Sequence, residues 1–181
     1  MKEKQLYLPK PHGLYHPNNE KENCGVGFIA QIKKKSSHQI TKDALEMLKR
    51  MDHRGACGCE ENTGDGAGIL TNIPHSFFIK HIKSLFDVYV EAGGYGVGNV
   101  FLPQDRAQRE YCIKVFEKTI DDEGQKLIGW RDVPVDADKA DVGNTARASQ
   151  PIIKQLIVGA GAGLEVDAFE RTLFIIRKSV S

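Results

Sequence analysis

The chain has 181 residues, with 25 Lys plus Arg and 24 Asp plus Glu, so its formal net charge at neutral pH is +1. This length suits one domain or part of a larger one, and it is enough to bury a sizeable core. The near-neutral balance excludes a dedicated nucleic-acid-binding protein, which would carry a marked excess of positive charge. No apolar run approaches the roughly 20 residues needed to span a bilayer. Residues 1–23 also lack the hydrophobic segment of a secretory signal, so we expect a cytoplasmic protein that binds neither nucleic acid nor membrane.

The number and spacing of the cysteines also favour the cytoplasm. Cys24, Cys57, Cys59 and Cys112 are too few and too scattered for a disulfide scaffold, so we expect reduced thiols. Cys57 and Cys59 lie close to His53, but structural zinc sites need four ligands, often in Cys-x2-Cys or His-x3-5-His pairs. We therefore predict no metal site.

The first 23 residues form a segment of their own. They contain three of the seven prolines and a polar run at residues 18–23, which is typical of an irregular arm. At Cys24 the sequence changes to an apolar, glycine-punctuated stretch, residues 24–32, which predicts a buried strand. The chain therefore divides into residues 1–23, an arm or propeptide, and residues 24–181.

Helices and strands alternate through the rest of the chain. Ser36 and Gln39 have the spacing of a capping box, and apolar residues recur at helical spacing after them up to Met51. Pro74 suits the first position of a second helix that runs to Phe86. A further helix is predicted at about residues 105–122, and strands at residues 69–73, 96–102, 126–135, 152–158 and 172–177. This order predicts a mixed α/β or α+β fold.

Cys24 is the strongest candidate for chemistry. Gly25 and Gly27 leave the backbone beside its thiol open, so that a substrate carbonyl could approach closely. The alternative is a small buried thiol at the start of a core strand. Cleavage between Asn23 and Cys24 would favour the catalytic interpretation over the buried thiol. The new α-amino group, with a pKa near 7.7–8.0, could act as the base for the thiol. One residue would then supply both the nucleophile and the base.

At this point the sequence resembles a known family, the glutamine amidotransferase domain of glutamate synthase large subunits. The similarity begins with Cys-Gly-Val-Gly-Phe-Ile-Ala at residues 24–30 and continues to the end of the chain in the family's order. Further matching segments are residues 51–55, 64–69, 98–103, 129–135, 150–153 and 169–171. The resemblance implies a class II amidotransferase with the N-terminal nucleophile hydrolase fold, an α+β four-layer αββα sandwich. It also implies that a short propeptide is removed to expose Cys24.

The resemblance suggests roles for further residues. It places Arg54 beside the nucleophile, where related enzymes use this arginine to shape the glutamine pocket, and a guanidinium suits paired hydrogen bonds to a carboxylate. The alternative is an arginine that satisfies the last carbonyls of a helix. Gly25, Gly55 and Asp65 are candidates for shaping the pocket. Residues 64–68 lack the spacing of a phosphate-binding loop, so we predict a tight turn near the nucleophile strand.

The resemblance also points to a missing part. The family builds its oxyanion hole from an Asn-Gly pair, and this sequence contains no Asn-Gly dipeptide. Losing one oxyanion donor typically lowers the rate by about 10²–10³. We therefore expect residues 24–181 to be the N-terminal portion of the domain, incomplete in this chain, and the isolated chain to be weak or inactive.

The predicted activity is hydrolysis of glutamine to glutamate and ammonia, with ammonia passing to 2-oxoglutarate. The alternatives are an amidotransferase for another acceptor and a truncated, non-catalytic binding subunit. The expected partners are glutamine, the remaining amidotransferase segment, and the synthase domains or subunits. No cofactor is expected in this chain, because FMN and an iron–sulfur cluster are implied only for the other domains of a glutamate synthase.

Overall fold

The computed structural model describes residues 10–14, 16, 25–33, 35–51, 63, 66–136 and 138–180. The chain divides into two compact units. The first comprises Met1–Thr71 and Asp138–Ala146, and the second comprises Asn72–Ala137 and Arg147–Ser181.

Helix α1, His38–Arg50, is the main element of the first unit. The side chain of Ser37 caps it by accepting a hydrogen bond of 3.1 Å from the backbone N–H of Gln39. The cap is thus one residue later than the predicted Ser36. Lys49 and Arg50 lie in the last turn, where positive charge is favourable beside the unpaired carbonyls.

Two strands predicted within residues 24–73 are not seen among the described residues. The described part of the first, residues 25–32, has neither helix nor strand, and the same holds for residues 69–73. Val26, Phe28 and Leu70 are 98%, 90% and 100% exposed. An apolar run indicates that a segment can be buried, but a strand also needs a hydrogen-bonded neighbour.

The second unit is built on a three-stranded antiparallel sheet. Strands β1 (Tyr95–Leu102) and β2 (Lys126–Asp132) both pair with β3 (Ile152–Gly159), which lies in the centre. The predicted strands matched these closely, although β2 ends at Asp132 rather than at residue 135. Because β1 and β2 are each antiparallel to β3, they run parallel to one another, and the chain between them forms a split β-α-β unit.

Four helices accompany the sheet: α2 (His75–Phe86), α3 (Arg106–Asp122), α4 (Asn144–Ser149) and α5 (Val166–Val180). Pro74 is the N-cap of α2 rather than its first residue. The predicted strand at residues 172–177 was wrong, since these residues belong to α5. Phe169, Leu173 and Ile176 recur at helical spacing and place one apolar face of α5 on the sheet. The short, polar α4 was not predicted, and it crosses from the first unit into the second.

Helices pack on both faces of the sheet. Ile157 faces α2, whereas its neighbours Leu156 and Val158 face α3 and α5, as the alternation of a strand requires. The buried residues on the α2 face are Phe78, Ile82, Val90, Tyr95 and Ile157, and those on the other face are Ile120, Leu156, Val158, Phe169 and Ile176.

A bulge in β2 sets which side chains face α2. The register shifts between Leu127 and Gly129, so Ile128 packs against the α2 side. A Cβ atom at Gly129 would overlap the ring of Phe86, so glycine permits the end of α2 to lie directly on this strand.

The described residues therefore form a mixed helix-and-sheet fold with a small antiparallel sheet. Within the described ranges, every helix is too short or too polar to span a bilayer.

Candidate active site

Most of the predicted site falls outside the described residues. Cys24, Arg54, Gly55 and Asp65 all lie there, so their predicted roles stay predictions. Gly25 is described, and it is an exposed residue outside any helix or strand. The structure does describe segments of the first unit that are next to these residues in the sequence, and their contacts are given below.

The segment that follows Cys24 lies against helix α1. A Cβ atom at Gly27 would be 2.5 Å from Sδ and 2.9 Å from Cε of Met47, so only glycine fits there without a shift of that side chain. Gly27 therefore lets the backbone three residues beyond Cys24 approach the helix closely. Met47 was predicted as part of the apolar face of α1, and this contact uses that face.

Thr63, the residue before the glycine-rich residues 64–68, is hydrogen-bonded to a residue far away in the sequence. The backbone N–H of Gly143 donates a 2.9 Å hydrogen bond to Oγ1 of Thr63, across 80 residues. Gly143 is buried and Thr63 is half-buried, so the bond is partly shielded from water. Thr63 directly precedes residues 64–68, and the bond joins it to residues 138–146 of the same unit. Sequence reasoning did not single out either residue, because nothing local marks a contact over this separation.

No metal centre is formed by the described residues. Within those ranges, no group of three or more His, Cys, Asp and Glu side chains comes close enough to hold an ion. Cys112 is a free, half-buried thiol on α3.

Two features among the described residues have shifted pKa values. Burial raises the pKa of the Tyr95 phenol, whose oxygen lies 3.2 Å from Nδ1 of His75. On the exposed surface of α3, the hydrogen bond and charge of Arg106 lower the pKa of Glu110. Both features belong to the second unit, and neither supplies a nucleophile.

The second unit also has an open cleft of about 400 Å³ between the end of β1 and the start of β3. Its most polar lining group, the Gln104 amide, already donates to the carbonyl oxygens of Ala148 and Gln150 at 3.2 and 2.8 Å. The amide therefore holds two chain segments together, and the residues that line the cleft include no His, Cys, Asp, Glu or Lys. Its lining residues are Phe101, Leu102, Pro103, Gln104, Ala148, Ser149, Gln150 and Pro151.

Comparison with known families decides the assignment. The model of the class-II glutamine amidotransferases matches residues 24–181. The chain belongs to this family. The predicted resemblance to amidotransferase domains is thereby confirmed.

Relatives of this amidotransferase chain carry one common name. It is 42% identical over 172 residues to the glutamate synthase [NADPH] large chain of Bacillus subtilis, which covers 94% of this chain and 11% of that protein. It is 39% identical over 162 residues to ferredoxin-dependent glutamate synthase 2 of Arabidopsis thaliana, covering 90% of this chain and 10% of the relative. It is 36% identical over 180 residues to the glutamate synthase [NADH] of Schizosaccharomyces pombe, which covers 96% of this chain and 8% of that protein. The chain thus spans about a tenth of the length of these relatives.

Proposed function

We propose that the chain contributes the glutamine-hydrolysing site of a glutamate synthase. The observation that carries the proposal is the family match that begins at residue 24, where Cys24 stands, together with relatives named glutamate synthase. The ammonia released would pass to 2-oxoglutarate in a synthase region outside this chain, in the cytoplasm. The four-layer αββα sandwich is the fold we propose for the completed domain.

Removal of residues 1–23 would make Cys24 the first residue, with a free α-amino group. The amine takes the thiol proton, and the thiolate sulfur attacks the carboxamide carbon of glutamine. The tetrahedral intermediate collapses with loss of ammonia, to whose nitrogen the ammonium group returns a proton, leaving a thioester. Water then attacks the thioester with the amine as base, which releases glutamate and regenerates the thiol. One glutamine and one water thus give one glutamate and one ammonia.

The other proposed residues bind and shape. Arg54 fixes a carboxylate of glutamine by paired hydrogen bonds, and Gly55 and Asp65 line the pocket beside it. Gly25 leaves room for the substrate next to the nucleophile. The contact of Gly27 with Met47 and the bond from Gly143 to Thr63 support this arrangement, because they anchor the two segments that adjoin Cys24 and Asp65.

The FMN and iron–sulfur cluster of glutamate synthases are not placed on this chain. We propose that both groups belong to regions of a glutamate synthase outside this chain, as the family resemblance implies. We therefore route no step through either group.

The test is covalent labelling with a diazo-ketone analogue of glutamine. Mass spectrometry first establishes whether the polypeptide begins at Cys24. The label is then mapped by peptide digestion, and we expect it on Cys24 alone, because only a thiol beside a base and a glutamine pocket meets the reagent as a thiolate. Equal labelling of Cys57, Cys59 and Cys112 would contradict a formed site. Glutamine added in excess should protect Cys24, whereas asparagine should not.

A further inference from the structure

A half-buried arginine in the second unit is held by neutral partners. Nη1 of Arg131, on β2, donates a 2.7 Å hydrogen bond to Oε1 of Gln155 on β3. Its guanidinium carbon lies 5.8 Å from the centre of the Phe77 ring on α2. Neither partner carries a negative charge, and no ion pair joins Arg131 to a carboxylate within the described part of the chain.

The neighbouring carboxylate is engaged elsewhere. Asp132 pairs with Lys154 at 2.5 Å, and these residues lie on the face of the sheet that carries α3 and α5. Arg131 and Gln155 lie on the α2 face, because Gln155 is two residues from Ile157. Charged side chains withdrawn from water are normally paired with an opposite charge. Within the part of the chain that the structure describes, the positive charge of Arg131 has no such partner.

Two amides extend this charge into a row across the sheet. Gln155 pairs with Arg131 on one side and with Asn99 of β1 on the other. Because Oε1 of Gln155 accepts from Arg131, the NH₂ group of the same amide is a further donor in the row. A guanidinium has five N–H donors, and the bond to Gln155 uses one of them. The row therefore offers several donors and one full positive charge, and none of its own three residues is a carboxylate.

An apolar row lies next to these three residues. Phe101 pairs with Ile153 on the same face, two residues beyond Asn99 and Gln155. Phe101 is 66% exposed, although it is one of the largest side chains of the sheet. Donors for an anion thus adjoin an open apolar surface, whereas α2 covers the opposite end of this face.

We propose that Arg131, Gln155 and Asn99 bind the carboxylate of a small ligand whose apolar body contacts Phe101 and Ile153. A planar carboxylate matches the fork of a guanidinium, and the single positive charge suits a monoanion. The ring of Phe77 helps to hold the guanidinium in orientation. This site is separate from the chemistry proposed for Cys24 and goes beyond it.

The test is an NMR titration of the isotopically labelled chain with hexanoate, with hexanamide as the uncharged control. We expect saturable shifts of the Arg131 Nε–H and of the Gln155 and Asn99 side-chain amides with hexanoate, and no saturable shifts with hexanamide. Arg131→Gln should weaken hexanoate binding at least about tenfold, because the charge-assisted hydrogen bonds are lost. Arg106→Gln removes one positive charge from a surface arginine already paired with Glu110, and it should leave the affinity within about twofold.

Linear shifts without saturation, or equal affinities of the wild type and Arg131→Gln, would overturn the proposal. If Arg131→Gln fails to fold, the decision passes to Asn99→Ala, whose side chain is exposed. Weaker hexanoate binding by Asn99→Ala supports the row as the site, and unchanged binding overturns it.

Discussion

On strand β3 of the second unit, successive apolar side chains alternate between the two helix-bearing faces of the sheet, whereas Val26 and Phe28 of the first unit extend into solvent. Every buried hydrophobic side chain within the described ranges belongs to the second unit, and helix α1 of the first has none. Yet the predicted nucleophile and pocket residues belong to the first unit. Among the described residues, the second unit thus contains the hydrophobic core, whereas the first unit contains the segments next to the predicted site residues.

The difference is sharpest for chemistry. Cys24→Ala should lower glutaminase turnover by about 10³-fold or more, because the attacking sulfur is removed. Cys112→Ala, in the second unit, should leave turnover unchanged, since we expect that thiol to be structural. Ammonia and glutamate release are measured on polypeptide processed to begin at Cys24. Wild-type turnover by the Cys24 variant would show that another group is the nucleophile.

For stability, we expect substitutions in the second unit to have larger effects than substitutions in the first. Ile157 is 0% exposed between β3 and α2, so Ile157→Ala should lower the free energy of unfolding by about 2–5 kcal/mol. Phe28→Ala, at a side chain that faces solvent, should change it by no more than about 0.5 kcal/mol. Urea denaturation of both variants gives the comparison. A loss at Phe28 as large as that at Ile157 would mean that the first unit has a core of its own.

The two close glycine contacts should also differ between the units. Gly129→Ala pushes a methyl group into the rigid ring of Phe86 and should cost about 1–3 kcal/mol of stability. Gly27→Ala meets the flexible end of Met47, which can move aside, so its cost should stay below about 1 kcal/mol.

Denaturation curves and a double variant check this explanation. Phe86→Leu should recover part of the loss in Gly129→Ala by making room for the methyl group. If Gly129→Ala lowered the free energy of unfolding equally in the wild type and in Phe86→Leu, the ring of Phe86 would not be the cause of the loss.

Local patterns predicted much of the second unit. The apolar spacing of α2 and α3 and the runs of β1 and β3 are short-range features, and the structure confirmed their bounds to within one or two residues. The error at residues 172–177 arose because five of these six residues are apolar or β-branched, which suits a strand as well as a buried helix face. Including Phe169 would have shown the helical period.

Long-range features could not be predicted in this way. The bond from Gly143 to Thr63 joins residues 80 apart, and no local signal marks it. The row of Arg131, Gln155 and Asn99 depends on the strand register, which the bulge in β2 shifts. The residue chemistry of Cys24 and Arg54 did suggest a site, because a nucleophile and a carboxylate-binding group can be recognised by type. Their geometry depends on tertiary packing, which the sequence does not state.

The smallest expected difference concerns the helix caps of the two units. The carboxylate of Asp105 accepts a 2.8 Å hydrogen bond from the N–H of Gln108 at the start of α3, and Ser37 does the same for α1 at 3.1 Å. Asp105→Ala should cost about 1 kcal/mol of global stability, because α3 packs on the sheet and its first turn must form when the second unit folds. Ser37→Ala removes an equivalent bond from a helix without a buried side chain, so its effect should appear as fraying of α1 and hardly in the global unfolding transition. Hydrogen exchange of the first-turn amides, measured beside urea denaturation, separates the two results. A global loss for Ser37→Ala equal to that for Asp105→Ala would mean that both units unfold together, and the contrast between them would then be one of burial alone.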